Sequence, residues 1–171
     1  PQALTLFGDS GMALTADDRA ALMAIDYDPC WAVMATLTAP PNLPAPGGLR
    51  LENGPVAWLA DNGQKGISEK PAITLHASAA FSREHLDDDP EAVKQALLAA
   101  VRGYVPAETV ETVQVHRWRY SLAAQRYPEP LLKLSLPFPA WLGGDAFGIG
   151  HVEGAFLSGK AMAQALTESG A

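Results

Sequence analysis

The sequence predicts an α+β fold, a mostly antiparallel sheet with helices on one face. Two observations carry this. Short strand-like runs (CWAVMATLT, VAWLADN, AITLHASAA and TVQVHRWRY) are separated by turn signals rather than by crossover helices. One substantial helical pattern stands between the third and fourth of them, with Val93, Leu97, Leu98 and Val101 forming a single apolar stripe.

Taken in order, Pro1 to Phe7 reads as the tail of a strand or loop entering Gly8 to Gly11. Thr15 is placed to cap a helix with Asp17 and Asp18 in its first turn and Ala20, Leu22 and Met23 on its apolar side; Asp26 to Pro29 ends it. Cys30 to Thr38 is apolar on both faces, which predicts a central, covered strand. The proline-rich segment Ala39 to Gly48 cannot pair within a sheet and reads as an exposed loop, followed by a short edge strand at Leu49 to Leu51 and a turn at Asn53 and Gly54. Val56 to Asn62 and Ala72 to Ala80 follow as strands around the loop Gly63 to Pro71.

Phe81 to Leu86 reads as a turn or short helix capped by Ser82, and Asp89 caps a helix from Pro90 to about Tyr104. Thr112 to Tyr120 alternates, with Val113, Val115, Arg117 and Arg119 on one side and His116, Trp118 and Tyr120 on the other. Ser121 to Pro130 reads as an irregular connection, and Leu131 to Leu136 as a strand ending before Pro137 and Pro139. There is no internal repeat and no low-complexity tract.

At 171 residues, 48% hydrophobic and 18% charged, the chain has the size of one ordinary domain with a sizeable core. A net charge of −7 argues against a general nucleic-acid or anionic-membrane binder. Cys30 is the single cysteine, so there is no internal disulfide and no metal framework. Neither an apolar run of spanning length nor a signal pattern is present, which points to a cytoplasmic setting. Ser10 in GDSG lacks the supporting His and Asp of a nucleophile site, and Asp87 to Asp89 reads as helix capping.

The stretch Trp141 to Leu166 concentrates the chemistry: a short apolar run, then Gly143, Gly144 and Asp145, a loop broken by Gly148 and Gly150, and a helix beginning near Val152. Glycines let a ligand approach the backbone, a helix start favours electron-rich atoms, and a carboxylate just past a strand can hold a sugar or polyol hydroxyl. Local spacing alone equally fits a turn whose glycines serve geometry only. Elsewhere, Trp58 reads as packing, Asp61 and Asn62 as turn formers, and Lys65 as a solvated cation. His116 reads as structural, and Arg117 and Arg119 need acidic partners, with Glu108, Glu111 and Glu129 available, or a place near a ligand.

Three motifs together resemble the FAD-dependent amine-oxidase-like flavoproteins, and most closely the renalase family. They are GGDAF followed by VEGAFLSG and an Ala-rich helix, the W-x-x-D-N-x-x-K of Trp58, Asp61, Asn62 and Lys65, and HRWRYSLA from His116. The resemblance covers nearly the whole chain. It implies that Gly143, Gly144 and Asp145 meet the ribityl and pyrophosphate part of FAD, and that the helix start at Val152, Glu153, Gly154 and Ala155 points its amides at the flavin. It further implies a site drawing on Lys65, Arg119, Trp118, His116, Trp58 and Asn62, since related amine oxidases place a lysine near flavin N5. Renalase relatives oxidise dihydropyridine isomers of NAD(P)H, and wider relatives oxidise amines, with a hydride passing to flavin N5 and oxygen as acceptor.

On this reading residues 1–138 are a substrate domain, and 139–171 are the terminal strand and helix of a Rossmann-like FAD domain. The chain has no GxGxxG and begins on PQAL without methionine, so the expectation is the later part of a longer protein, itself inactive and not retaining FAD. Apolar surface at Ala155, Phe156 and Leu157 would then favour self-association. The missing GxGxxG also supports an alternative from another class, a binding or interaction domain that keeps the fold without FAD.

Overall fold

In the computed structural model, which describes residues 1–169, the chain forms two compact units, Asp28–Ser121 and Pro1–Tyr27 with Leu122 onward. This division by contact differs from the motif-based partition at 138/139, because the first 27 residues share a core with the terminal segment.

The Asp28–Ser121 unit is built on a five-stranded sheet in the order β2-β3-β4-β1-β5, formed by β1 (Asp26–Leu37), β2 (Gly48–Arg50), β3 (Val56–Asp61), β4 (Ala72–Ala77) and β5 (Val110–Gln125). The pairs β2·β3, β3·β4 and β4·β1 are antiparallel, with Leu59 opposite Leu75 and Leu75 opposite Val33. That register puts Trp31, Val33, Ala35 and Leu37 on one face with Leu59, Ile73 and Leu75. Two helices, α3 (Ala79–Glu84) and α4 (Pro90–Ala100), cover it through Phe81, Val93, Leu97 and Val101. The expected architecture is therefore present, with the α4 stripe on the sheet. Asp89 caps α4 through Ala92 N–H, Pro90 opens it, and it ends at Ala100, four residues short of expectation, in turns through Gly103.

Three readings of this unit need correction. β1 is central but not covered on both faces, since Met34 is 38% exposed. Ser78, not Ser82, caps α3; Ser82 is buried and accepts a hydrogen bond from Trp31 N–H at 3.2 Å, so its hydroxyl ties helix to strand. β5 runs to Gln125, absorbing the first half of the expected irregular connection, because Ser121 to Gln125 contains no glycine or proline to stop it.

In the other unit, Pro1 to Phe7 is helical rather than extended: α1 (Gln2–Asp9) places Leu4 and Phe7, three apart, against the core. Thr15 caps α2 (Ala16–Met23), accepting from Asp18 N–H at 3.1 Å. The buried face of α2 is Asp18 and Leu22, whereas Ala20 and Met23 are exposed. The Asp18 carboxylate accepts Ser135 N–H at 2.9 Å, and that bond turns the i, i+4 pair inward. Asp26 to Pro29 opens β1 instead of closing α2.

Leu131 to Leu136 contributes only β6 (Leu132–Lys133), which pairs antiparallel with β7 (Trp141–Leu142). The prolines at 137 and 139 have no N–H and keep this ribbon short. The terminal strand thus lies in a two-stranded antiparallel ribbon, and α5 (His151–Glu168) follows. Among the described residues no helix is long and apolar enough to cross a membrane.

Candidate functional site

The glycine-rich turn between β7 and α5 is held from three sides. Gly144 N–H donates to Ser158 Oγ at 2.9 Å, and a Cβ on Gly143 would lie 2.2 Å from that oxygen and 3.0 Å from Met162, so the strand end approaches α5 as closely as only glycine permits. Gly144 has φ +140°, with open space where a Cβ would point. Phe147 N–H donates to Gly144 O, and Gly148 N–H reaches Tyr127 O and Glu129 O, which fixes the loop. Gly150 has φ +75°, a Cβ there would meet the Arg126 side chain, and the Arg126 guanidinium donates to Ile149 O.

Directly after this turn α5 starts at His151 with no side-chain cap at Gly150. Its first-turn amides carry the positive end of the helix dipole. Gly154 is buried in that turn, with Phe147 O 3.2 Å from where its Cβ would be, while Val152 and Glu153 are exposed and Ala155 is half-buried.

Asp145 is exposed and accepts a hydrogen bond at Oδ1 from the Tyr27 phenol at 3.1 Å. Burial, and then the Asp145 charge and hydrogen bond, push the Tyr27 phenol up to about 12. Gly143, Gly144, Asp145 and the first turn of α5 thus supply, within a short stretch of chain, an exposed carboxylate, a side-chain-free turn and a helix start with no side-chain cap. Sequence reasoning missed two supports of this stretch. Ser158 gives no signal beyond being a hydroxyl within VEGAFLSG, and Tyr27 carries no local signal, because its link to Asp145 spans 118 residues.

The other cluster lies on the uncovered face of the five-stranded sheet. Trp58 is opposite His76, and His76 opposite Ala32; the next rows are Ala60, Thr74 and Met34, then Ala72 and Thr36. Thr36 and Thr112 hydroxyls are 2.7 Å apart, which carries the same face onto β5. His116 and Trp118 continue it, their rings edge-to-face with centroids 4.3 Å apart. Trp58 fills the space above Gly48, where a Cβ would be 2.6 Å from the indole. Asn62 Nδ2 donates to Thr74 Oγ1 at 3.0 Å, and Asn62 lines a cavity of about 190 Å³ with Met34, Thr36, Thr112 and Gln114.

Lys65 is exposed in the turn after β3. Burial, and then the Lys65 charge, hold the His76 imidazole below its ordinary value. His76 belongs to this face and was not singled out from the sequence; its signal was the polar position inside the alternating run AITLHA.

Trp58, Asn62, His116 and Trp118 thus share one face, but Arg117 and Arg119 do not. Arg117 lies on the helix-covered side, its guanidinium 5.4 Å from the Trp31 ring centroid and donating to Leu86 O at 2.7 Å. Arg119 Nη2 donates to Asp87 Oδ1 at 2.6 Å, and Arg117 reaches the same oxygen at 3.4 Å. The acidic partner of both arginines is Asp87, rather than Glu108, Glu111 or Glu129. Of the run Asp87 to Asp89 only Asp89 caps the helix; Asp88 pairs with His85 at 2.7 Å.

Asp61 is buried and forms a turn: Oδ1 accepts Gly63 N–H at 2.9 Å and Gln64 N–H at 3.1 Å, and Oδ2 accepts Gln64 Nε2 at 3.0 Å. Ser10 is likewise a turn residue, donating to Phe7 O at 2.9 Å.

No family model matches the chain. Among solved structures, the chain is similar to a crystal structure of reduced UDP-galactopyranose mutase, at 12% sequence identity and a TM-score of 0.44. The match covers 65% of this chain and 26% of that one, so the chain spans about a quarter of that structure's length.

Proposed function

We propose that this chain is part of an FAD-dependent oxidoreductase, renalase-like or amine-oxidase-like, that acts in the cytoplasm on a small-molecule substrate. The observation that carries the reading is the stretch made by Gly143, Gly144, Asp145 and the first turn of α5. Its exposed carboxylate is an acceptor for a ribityl hydroxyl, its uncapped helix start is a donor for a pyrophosphate, and the glycine turn, whose own Gly144 N–H and O are paired within the fold, carries no side chain to obstruct either. Asp145 would hold a ribityl hydroxyl, kept in place by the Tyr27 phenol, and the amides of Val152 and Glu153, which precede the first intrahelical bond from Gly154 N–H to Gly150 O, would meet the electron-rich edge of the cofactor, with Gly154 and Ala155 forming the helix wall behind them. When bound, FAD supplies a hydride acceptor at N5, with oxygen as the terminal oxidant.

The open sheet face is the proposed substrate surface. Trp58, His116 and Trp118 offer aromatic planes to a flat ring, Asn62 offers an amide, and Lys65 offers a cation beside His76. Dihydropyridine isomers of NAD(P)H suit this combination, and an amine is the second substrate class. Arg119 and Arg117, held by Asp87 under the sheet, act in this reading as positioning residues that fix the strand carrying His116 and Trp118.

The test is the flavin content of the full protein that contains this chain. It should purify yellow, and Asp145→Ala should lower bound FAD at least tenfold while the far-UV circular dichroism is unchanged. Because the chain holds no GxGxxG, the 171 residues alone should bind FAD weakly. A full protein that neither carries flavin nor binds added FAD would overturn the reading, as would an Asp145→Ala variant with undiminished flavin.

A further inference from the structure

The chain has three asparagines, and two of them, Asn53 and Asn62, are followed by glycine. That dipeptide is open to self-modification, because the glycine nitrogen can attack the asparagine side-chain carbonyl with no Cβ on the following residue in its way. The reaction needs a mobile nitrogen and a mobile carboxamide, and the two sites differ in both. At Asn62, Gly63 N–H donates to Asp61 Oδ1 at 2.9 Å and the carboxamide donates through Nδ2 to Thr74 Oγ1 at 3.0 Å. The Asn62 backbone is fixed as well, its N–H donating to Ala72 O at 2.8 Å and its carbonyl accepting from Ile67 N–H at 2.9 Å. Asn53 is exposed in the connection between β2 and β3, and among the described residues neither its carboxamide nor Gly54 N–H has a hydrogen-bond partner. Gly54 is held at its carbonyl alone, by Ser78 Oγ at 3.1 Å; it has φ +101°, and open space lies where a Cβ would point.

We propose that Asn53 is a site of spontaneous deamidation in the folded protein, and that Asp61 protects Asn62 from the same reaction. At Asn53 the Gly54 nitrogen gives its proton to solvent and bonds to the Asn53 side-chain carbonyl carbon. The bond from that carbon to Nδ2 breaks, and ammonia leaves with a proton taken from water. Water then opens the resulting succinimide at either carbonyl, giving aspartate, or isoaspartate in which the main chain runs through the former side chain. No redox partner is needed. The product adds a negative charge to the β2–β3 connection and, in the iso form, one more main-chain atom. At Asn62 the same change would place a carboxylate in the cavity shared with Met34, Thr36, Thr112 and Gln114. There the attacking nitrogen must first leave a charged acceptor. Breaking a hydrogen bond of that kind slows a step by roughly tenfold to a hundredfold.

The test is timed incubation of the full protein containing this chain at mildly alkaline pH, followed by tryptic digestion and mass spectrometry against a zero-time digest. Both asparagines fall on one tryptic peptide, Leu51 to Lys65, so fragment ions compare them within the same molecule. In the folded protein Asn53 should convert about tenfold faster than Asn62 or more, and in urea the two should convert alike. Asp61→Ala should raise the Asn62 rate by about tenfold or more. Thr74→Val, which frees the carboxamide but leaves Asp61 in place, should raise it less. Val93→Ala, a core truncation in α4, controls for lowered stability and should leave Asn62 slow. The proposal fails if Asn53 stays intact in the folded protein, if Asn62 converts as fast as Asn53, if the difference persists in urea, or if Asp61→Ala changes Asn62 no more than Val93→Ala or Thr74→Val does.

Discussion

Replacing Asp61 by alanine removes the acceptor of three hydrogen bonds from a carboxylate that is only 3% exposed. The Gln64 side chain can recover part of its loss, because it also donates to Leu43 O at 3.1 Å. The Gly63 and Gln64 backbone amides cannot move without opening the turn that leads out of β3. Two hydrogen bonds to a charged acceptor, at about 1.5 kcal/mol each, give a loss of roughly 3 kcal/mol. Relief from burying the charge returns about 1 kcal/mol, which leaves a net destabilisation of about 2 kcal/mol. Against a domain stability of about 5–15 kcal/mol this is a large, measurable fraction. Asp61→Asn keeps one oxygen for the two amides and should lose only about 1 kcal/mol. Urea unfolding followed by tryptophan fluorescence reads both changes, with the denaturant slope expected to stay constant. If Asp61→Ala unfolds within about 0.5 kcal/mol of the parent, the turn does not depend on this carboxylate and the reasoning is refuted.

Further outcomes follow from the two candidate surfaces. Gly143→Ala should destabilise the protein by about 1–3 kcal/mol through overlap with Ser158 and Met162, and Ser158→Gly in the same chain should recover part of it; thermal melts compare the two. Tyr27, whose phenol is raised to about 12, contributes stability that is complete below the ordinary phenol value of 10.0 and lost as pH rises through about 12. Urea midpoints of Tyr27→Phe should accordingly fall less than the parent's across that alkaline window, and parallel curves would contradict the Tyr27–Asp145 link. His76 is depressed by burial and by Lys65, so its neutral form contributes stability present above the ordinary histidine value of 6.5 and lost as pH falls through the lowered one. Lys65→Gln should raise the His76 value in an NMR titration, and an unchanged titration would show that the lysine does not act on it.

Much of the sheet was legible because its signals are local. The alternation of Val113 and Val115 with His116 and Trp118 fixes which side chains share a face, and Asp89 followed by Pro90 marks a helix start without further context. What could not be read were contacts made by distant segments. Asp87 looks like one acid of a capping run until β5 brings Arg117 and Arg119 to it, 30 and 32 residues on. The orientation of α2 is hidden for the same reason, since hydrophobicity favours Met23 inward while a bond from Ser135 N–H to the Asp18 carboxylate, 117 residues away, decides otherwise. Pro1 to Phe7 reads as extended only while the core that receives Leu4 and Phe7 is unknown. At the glycine turn the residues were legible but their geometry was not: nothing in GGDAF announces that Ser158 holds Gly144.

The two sides of β5 have a consequence for how this protein can vary. Because the arginines and the aromatic rings alternate along a single strand, its length is under tighter constraint than its composition. Losing one residue between Val115 and Arg117 would exchange the sides for everything beyond the gap. The guanidiniums would move to the open face, away from Asp87, and Trp118 would turn toward the layer now occupied by α3 and its loop. Aromatic-for-aromatic replacements at His116 or Trp118 leave that frame intact. Variants of this chain should therefore tolerate substitutions along β5 far more readily than single-residue insertions or deletions.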